Sequence, residues 1–258
     1  MAENDVLYDK PAPGVARITF NRPRMRNPTG RMQRARMDEL VTQALADDAV
    51  GAVIITGAGG HFCAGGDIRE FGSVEITEQL ANVRKAQVLA GKVLRADKPF
   101  IAAVEGYAAG AGVGIACLCD IIVGDENSKF ALSFARIGMT PDMGLTYTLS
   151  HRVGLARARR LLMRAEQVEG LQALEIGLLD ELAPPGGVQA RALQIATELA
   201  EAPPSSLASL KRGIRVAGAA LDSVLEYEAG AMAAALTGKE VAEGAKAFLE
   251  KRKPNFRG

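Results

Sequence analysis

The sequence predicts an α/β fold built around a buried, largely parallel sheet. Continuous apolar runs at residues 52–56 (AVIIT), 100–104 (FIAAV) and 121–123 (IIV) lack the polar alternation of a half-exposed strand. Segments of helical periodicity separate these runs, as parallel crossovers require. Two Gly-rich segments, each following a strand and opening a helix, complete the pattern.

Taken in order, residues 15–20 (VARITF) read as the first strand and 31–46 as a helix. The strand at 52–56 runs into GAGG, a helix follows over 78–94, and 100–104 is the next strand. A Gly-rich turn enters a small-residue helix that ends at Cys119, before strands at 121–123 and 129–132. Beyond Gly154 the pattern is mostly helical, with one short strand at 179–182. Pro184-Pro185-Gly186-Gly187 and Pro203-Pro204 punctuate it. The tail reads as three Ala- and Leu-rich helices, over 205–219, 222–236 and 240–251, that need a partner surface.

Composition narrows the function. Of 258 residues, 48% are hydrophobic and 24% charged, which excludes a disordered, collagenous or coiled-coil chain. A net charge of +1 leaves no electrostatic footprint for nucleic acid or an anionic membrane. Cys63, Cys117 and Cys119 form no disulfide framework, and with only His61 and His151 no zinc site is expected. The polar start MAENDVLYDK is not a targeting segment, and no apolar run can span a bilayer. A cytoplasmic location is the expectation.

The chemistry is concentrated in TGAGGHFCAGGDI (56–68) and EGYAAGAGVGI (105–115). Glycine lets a backbone approach a ligand, and a helix N-terminus presents free N–H groups. Two such turns converging would aim two donors at one oxyanion, each worth ~10²–10³ in rate. From spacing alone, tight turns needed only for packing explain them equally well. A dinucleotide site is disfavoured because Gly110-x-Gly112-x-Gly114 lacks the required spacing.

Phe62-Cys63-Ala64-Gly65-Gly66-Asp67-Ile68, followed by Glu105-Gly106-Tyr107-Ala108-Ala109-Gly110-Ala111-Gly112, resembles the enoyl-CoA hydratase/isomerase (crotonase) superfamily. Asn21-Arg22-Pro23, Cys119-Asp120-Ile121 and the tail from Glu250 to Phe256 extend the resemblance over nearly the whole chain. It implies a crotonase-type spiral of repeated ββα units over 1–202. It also implies a helical C-terminal region, 203–258, that builds a homotrimer or a dimer of trimers. A coenzyme A thioester is then the substrate, with no permanently bound cofactor and no metal. Carried over by position, the oxyanion N–H groups come from Ala64 and Ala111, the latter replacing the usual glycine. Ala64, Gly65, Gly66, Asp67 and Ile68 would hold the adenine end, and Arg24 and Lys251 the phosphates, Lys251 from a neighbouring subunit.

The departures bear on the reaction. The two glutamates that family hydratases use fall here on Gly114 and Phe134, so water addition has no evident acid or base. Asp142, eight positions after Phe134, matches the acid of dienoyl-CoA isomerases and the single aspartate of phenylacetate-pathway-type isomerase members. Phe134, Ile137, Met139, Met143 and Leu145 would wall it off from water and raise its pKa. After Thr140-Pro141, Asp142 is equally a natural helix N-cap. An enoyl-CoA isomerase working by a 1,3-proton shift is the leading expectation. A hydratase or lyase with non-standard acid–base residues, and a non-catalytic acyl-CoA-binding paralogue, are the alternatives.

Overall fold

The computed structural model describes residues 2–70, 75–216, 239–252 and 254–256. After a short helix α1 (Ala2–Asp5), β1 (Val6–Ala12) and β2 (Val15–Phe20) form an antiparallel pair. β3 (Ala52–Gly57), β4 (Phe100–Val104), β6 (Ile121–Gly124) and β9 (Glu181–Leu182) add in parallel, giving the order β1-β2-β3-β4-β6-β9. β5 (Tyr107–Ala109), β7 (Lys129–Ala131) and β8 (Gln167–Glu169) make a smaller mixed sheet.

The central strands are buried on both faces, which explains their unbroken apolar sequence. Val15, Ala52, Ile54, Ile101, Ala103 and Val123 pack against Ala192, Ile195 and Ala196 of α8 (Val188–Glu201). The alternate residues, among them Ile18, Val53, Ile55, Ala102 and Ile122, face the main core. That core takes Met37 and Leu40 from α2 (Arg31–Ala46), Leu89 and Val93 from α3 (Ile76–Arg95), and Ile115 from α4 (Ala111–Leu118). Lys92 Nζ bonds Asp38 Oδ1 at 2.5 Å and so ties α3 to α2.

The remaining helices are α5 (Leu145–Val153), α6 (Leu155–Met163), α7 (Gly170–Glu175), α9 (Pro204–Val216) and α10 (Lys239–Leu249). Lys211 on α9 donates to Asp120 Oδ2 at 2.5 Å, fastening that helix to the end of the sheet. The helix expected over 222–236 lies outside the described residues. Three strands were not anticipated. β1 carries Pro11 and mixed polarity, as an edge strand tolerates, and β5 and β8 are three residues each, too short for a period. No helix among the described residues is long and apolar enough to cross a membrane.

Candidate active site

The two Gly-rich turns are hydrogen-bonded to each other. Cys63 N donates to Tyr107 O, and Ala109 N donates to Cys63 O, both at 2.9 Å. Glycine is required on both sides of this junction. A Cβ on Gly112 would stand 2.3 Å from Cys63 O, and one on Gly65, whose φ is +96°, 2.7 Å from Ala109 O. The convergence expected from sequence is therefore built into the backbone.

One donor is corrected. The N–H of Ala64 donates to Arg26 O at 2.8 Å, so it is already engaged. Thr29 N donates to Gly65 O and Asp67 N to Thr29 O, at 2.8 and 3.2 Å. In extended backbone successive N–H groups point to opposite sides, so the Gly66 N–H turns away from Thr29. Among the described residues it has no hydrogen-bond partner, and neither has the N–H of Ala111, the first residue of α4. The Ala111 nitrogen lies 3.7 Å from the position a Cβ on Gly65 would occupy, so the two turns present Gly66 and Ala111 as the free pair. What distinguishes Gly66 from Ala64 is pairing with Thr29, which no local motif displays.

Asp142 lies close to both turns: its carbonyl oxygen is 3.5 Å from where a Cβ on Gly114 of α4 would stand, and its charge acts on the Cys63 thiol. The cap role is excluded: the N-cap of α5 is Gly144, and no side chain caps that helix. Met143 and Gly144 turn the chain with φ of 53° and 71°, leaving the Asp142 carbonyl, not its carboxylate, to accept from Leu145 N. The carboxyl oxygen Oδ1 is buried with no hydrogen-bond partner among the described residues. Burial holds the Asp142 carboxyl above the usual carboxylate range, with the Arg34 guanidinium partly opposing. The same Arg34 and the Asp142 charge both act on the Cys63 thiol, which burial pushes up to about 11. Arg34, on α2, is a charged group near the site that no sequence motif singles out.

The absent glutamates have structural replacements. A Cβ on Gly114 would stand 2.9 Å from Met143 Cβ, and Phe134 is buried with its ring edge 3.9 Å from where a Cβ on Gly110 would lie. The expected apolar wall holds for Phe134, Met143 and Leu145, but Ile137 and Met139 are exposed to solvent at 59% and 37%. Ile137 ends the short 3-10 turn Ser133–Ile137 and Met139 lies just past it, with both side chains turned outward.

The other candidates are placed as follows. Asp67 is buried and bonded to Arg22 and Arg69 at 3.1 and 2.5 Å, so its side chain locks the loop. Ile68 is 73% exposed beside it. Arg24 is exposed and has no partner among the described residues, whereas Arg31 pairs with Glu78 and Arg36 with Glu39. Lys251 follows α10, exposed, with φ of 52°. His61 accepts from Tyr107 N at 3.3 Å, His151 bonds Tyr147 O, and Glu105 accepts from Gln189. These three serve the framework.

A family model described as enoyl-CoA hydratase/isomerase matches residues 11–258. The chain belongs to that family. It is 34% identical to a short-chain-enoyl-CoA hydratase of Clostridium acetobutylicum, over 98% of this chain and 97% of that protein. It is 33% identical to the 1,2-epoxyphenylacetyl-CoA isomerase of Escherichia coli, over 95% of both chains. The crystal structure of an enoyl-CoA hydratase from Bacillus anthracis superposes with a TM-score of 0.94 at 27% identity, covering 98% of this chain and 99% of that one. One from Polaromonas sp. JS666 superposes at 0.93 with 30% identity, covering 98% and 99%. The crotonase fold is thus established for this family member, with its helical C-terminal segments in place.

Proposed function

We propose that this family member acts on an acyl-CoA thioester and shifts its double bond, with Asp142 as the single acid–base group. The observation that carries the reading is the buried Oδ1 of Asp142, without a hydrogen-bond partner among the described residues, on the loop that packs against Gly114 of α4, whose first N–H is free. The ionised carboxylate takes a proton from the carbon α to the thioester of a 3-enoyl-CoA. The electron pair moves onto the thioester oxygen, giving a dienolate held by the N–H groups of Gly66 and Ala111. Electrons then return from that oxygen through the conjugated system, the γ carbon takes the proton back from Asp142, and a 2-enoyl-CoA results. Atoms and charge balance with no other reactant. Ala64 to Ile68 receive the adenine end in this reading, and Arg24, with Lys251 of a neighbouring subunit, meets the phosphates.

Gly114 and Phe134 support isomerisation over hydration, since neither offers a group to position or split water. Relatives of similar identity include both an isomerase and hydratases, so the choice rests on the residues at 114, 134 and 142. The test is turnover of a medium-length 3-enoyl-CoA, followed by absorbance of the conjugated thioester, with Asp142→Asn in parallel. Turnover that collapses in the variant while coenzyme A still binds supports the assignment. Equal rates in both proteins would sink it.

A further inference from the structure

Helices α2 and α3 enclose an open cavity of about 390 Å³ beside the site. Its wall at Arg34 adjoins the site, because that guanidinium donates to Thr29 O at 2.9 Å and Thr29 is bridged to Gly66. The acids that line the cavity already have cationic partners: Asp38 is bonded to Lys92, and Glu39 to Arg36. Arg31, also on the wall, is held by Glu78.

Three donors are left over. Arg34 gives one N–H to Thr29 O at 2.9 Å and, among the described residues, has no carboxylate within ion-pair distance. Lys85 has none either. The Asn82 amide nitrogen is buried without an acceptor among the described residues. A buried amide N–H without a partner is costly, and the half-buried Arg34 and exposed Lys85, neither ion-paired among the described residues, favour an anionic oxygen ligand. Ala86 and Val88 line the same space and suit a hydrocarbon chain leading to it.

We propose that this cavity receives a carboxylate at the far end of the acyl group, held by Arg34, Lys85 and Asn82. The inference rests on the acyl-CoA reading of the Asp142 site and specifies its substrate class: thioesters of ω-carboxylated chains. A phosphate of coenzyme A itself has the same oxygen chemistry. The join of Arg34 to the turn that carries the Gly66 donor, and the apolar Ala86 on the wall, favour the acyl end, and the experiment separates the two.

The measurement is calorimetric binding of hexanoyl-CoA, its ω-carboxylated counterpart of equal length, and free coenzyme A, none of which needs turnover. The wild type should bind the ω-carboxylated thioester roughly tenfold tighter than hexanoyl-CoA, the scale of one charge-assisted contact set. That ratio should fall to about one in Lys85→Met and in Asn82→Leu, each checked for an unchanged melting profile. A wild-type ratio at or below one, or a ratio that neither variant moves, overturns the proposal. Equal weakening of free coenzyme A and the ω-carboxylated thioester identifies a phosphate as the occupant and also overturns it. Binding of neither thioester overturns the acyl-CoA reading, and this inference with it.

Discussion

Gly114 lies against Met143 so closely that a Cβ on the glycine would stand 2.9 Å from the methionine Cβ. Met143 is held in the left-handed region at φ 53° and is buried, so it has little room to retreat. The missing glutamate and the presence of Asp142 are therefore one packing relationship. The loop that carries Asp142 occupies the space that a side chain at position 114 would need.

Restoring the glutamate consequently should not restore hydration. Gly114→Ala should cost about 1–3 kcal/mol through overpacking, and Gly114→Glu more, with loss of isomerase turnover in both. Thermal melts and 3-enoyl-CoA assays check this. A stable Gly114→Glu protein with full isomerase activity would contradict the packing argument.

Ala111 offers a clean removal of one oxyanion donor. It is the first residue of α4, where proline fits because that N–H has no helical partner. Gly110 before it, at φ 50° and ψ −118°, is outside the α region that proline disfavours. Ala111→Pro should therefore fold and melt like the parent but lose ~10²–10³ in kcat. Ala64→Pro removes the bond to Arg26 O instead and should lower stability, so a melting comparison of the two separates catalytic from framework N–H groups.

The three cysteines should be inert in the native protein. All are buried, and burial pushes the Cys63 thiol up to about 11, Cys117 up to about 12, and Cys119 further still. A disulfide-exchange reagent at pH 8 should titrate none until denaturant is added. Rapid native reactivity of any one would show an opening that the packing does not contain.

Asp67 should govern part of the acid stability. Its bonds to Arg69 and Arg22 hold its carboxyl well below the usual carboxylate range. A depressed native pKa contributes stability above the unfolded value, ~3.9, that is lost as pH falls through the native one. Asp67→Asn should cost about 1–3 kcal/mol near neutrality, by leaving Arg22 short of a partner. The gap to wild type should narrow below that value, as urea melts at pH 7 and pH 3 would show.

Much of this architecture was legible because each signal was local. Val15–Phe20 and Arg31–Ala46 have the bounds their periodicity predicts, and Phe100–Val104 those of an apolar run buried on both faces. The two turns were legible from glycines that a Cβ would block. The donor was not, because the Ala64 N–H is taken by Arg26 O while Thr29 pairs with Gly65 and Asp67 on either side of Gly66 and leaves its N–H free. The cap ambiguity at Asp142 was likewise settled by left-handed Met143 and Gly144, a conformation that methionine does not advertise. The Asn82 amide, without an acceptor among the described residues, and the position of Arg34 depend on how α2 and α3 pack, which no single helix encodes.

Asp142 itself should trade stability for activity. Its native pKa is raised, mainly by burial, so the folded protein holds a proton there more readily than the unfolded chain does. Such a group costs nothing below its unfolded pKa, ~3.9, and destabilises increasingly as pH rises through its native value. Asp142→Asn replaces the buried charge with a neutral amide of the same shape. The variant should melt higher than wild type at pH 7, and the difference should vanish toward pH 3.5. Turnover should move oppositely, falling ~10²–10⁴-fold in the variant at neutral pH, the usual worth of a positioned acid–base group. In the wild type kcat/KM should decline on the acid side with a midpoint above that of an ordinary aspartate. A variant that melts lower at pH 7 would mean that the carboxylate is held by partners rather than stranded, and the base assignment would lose its physical ground.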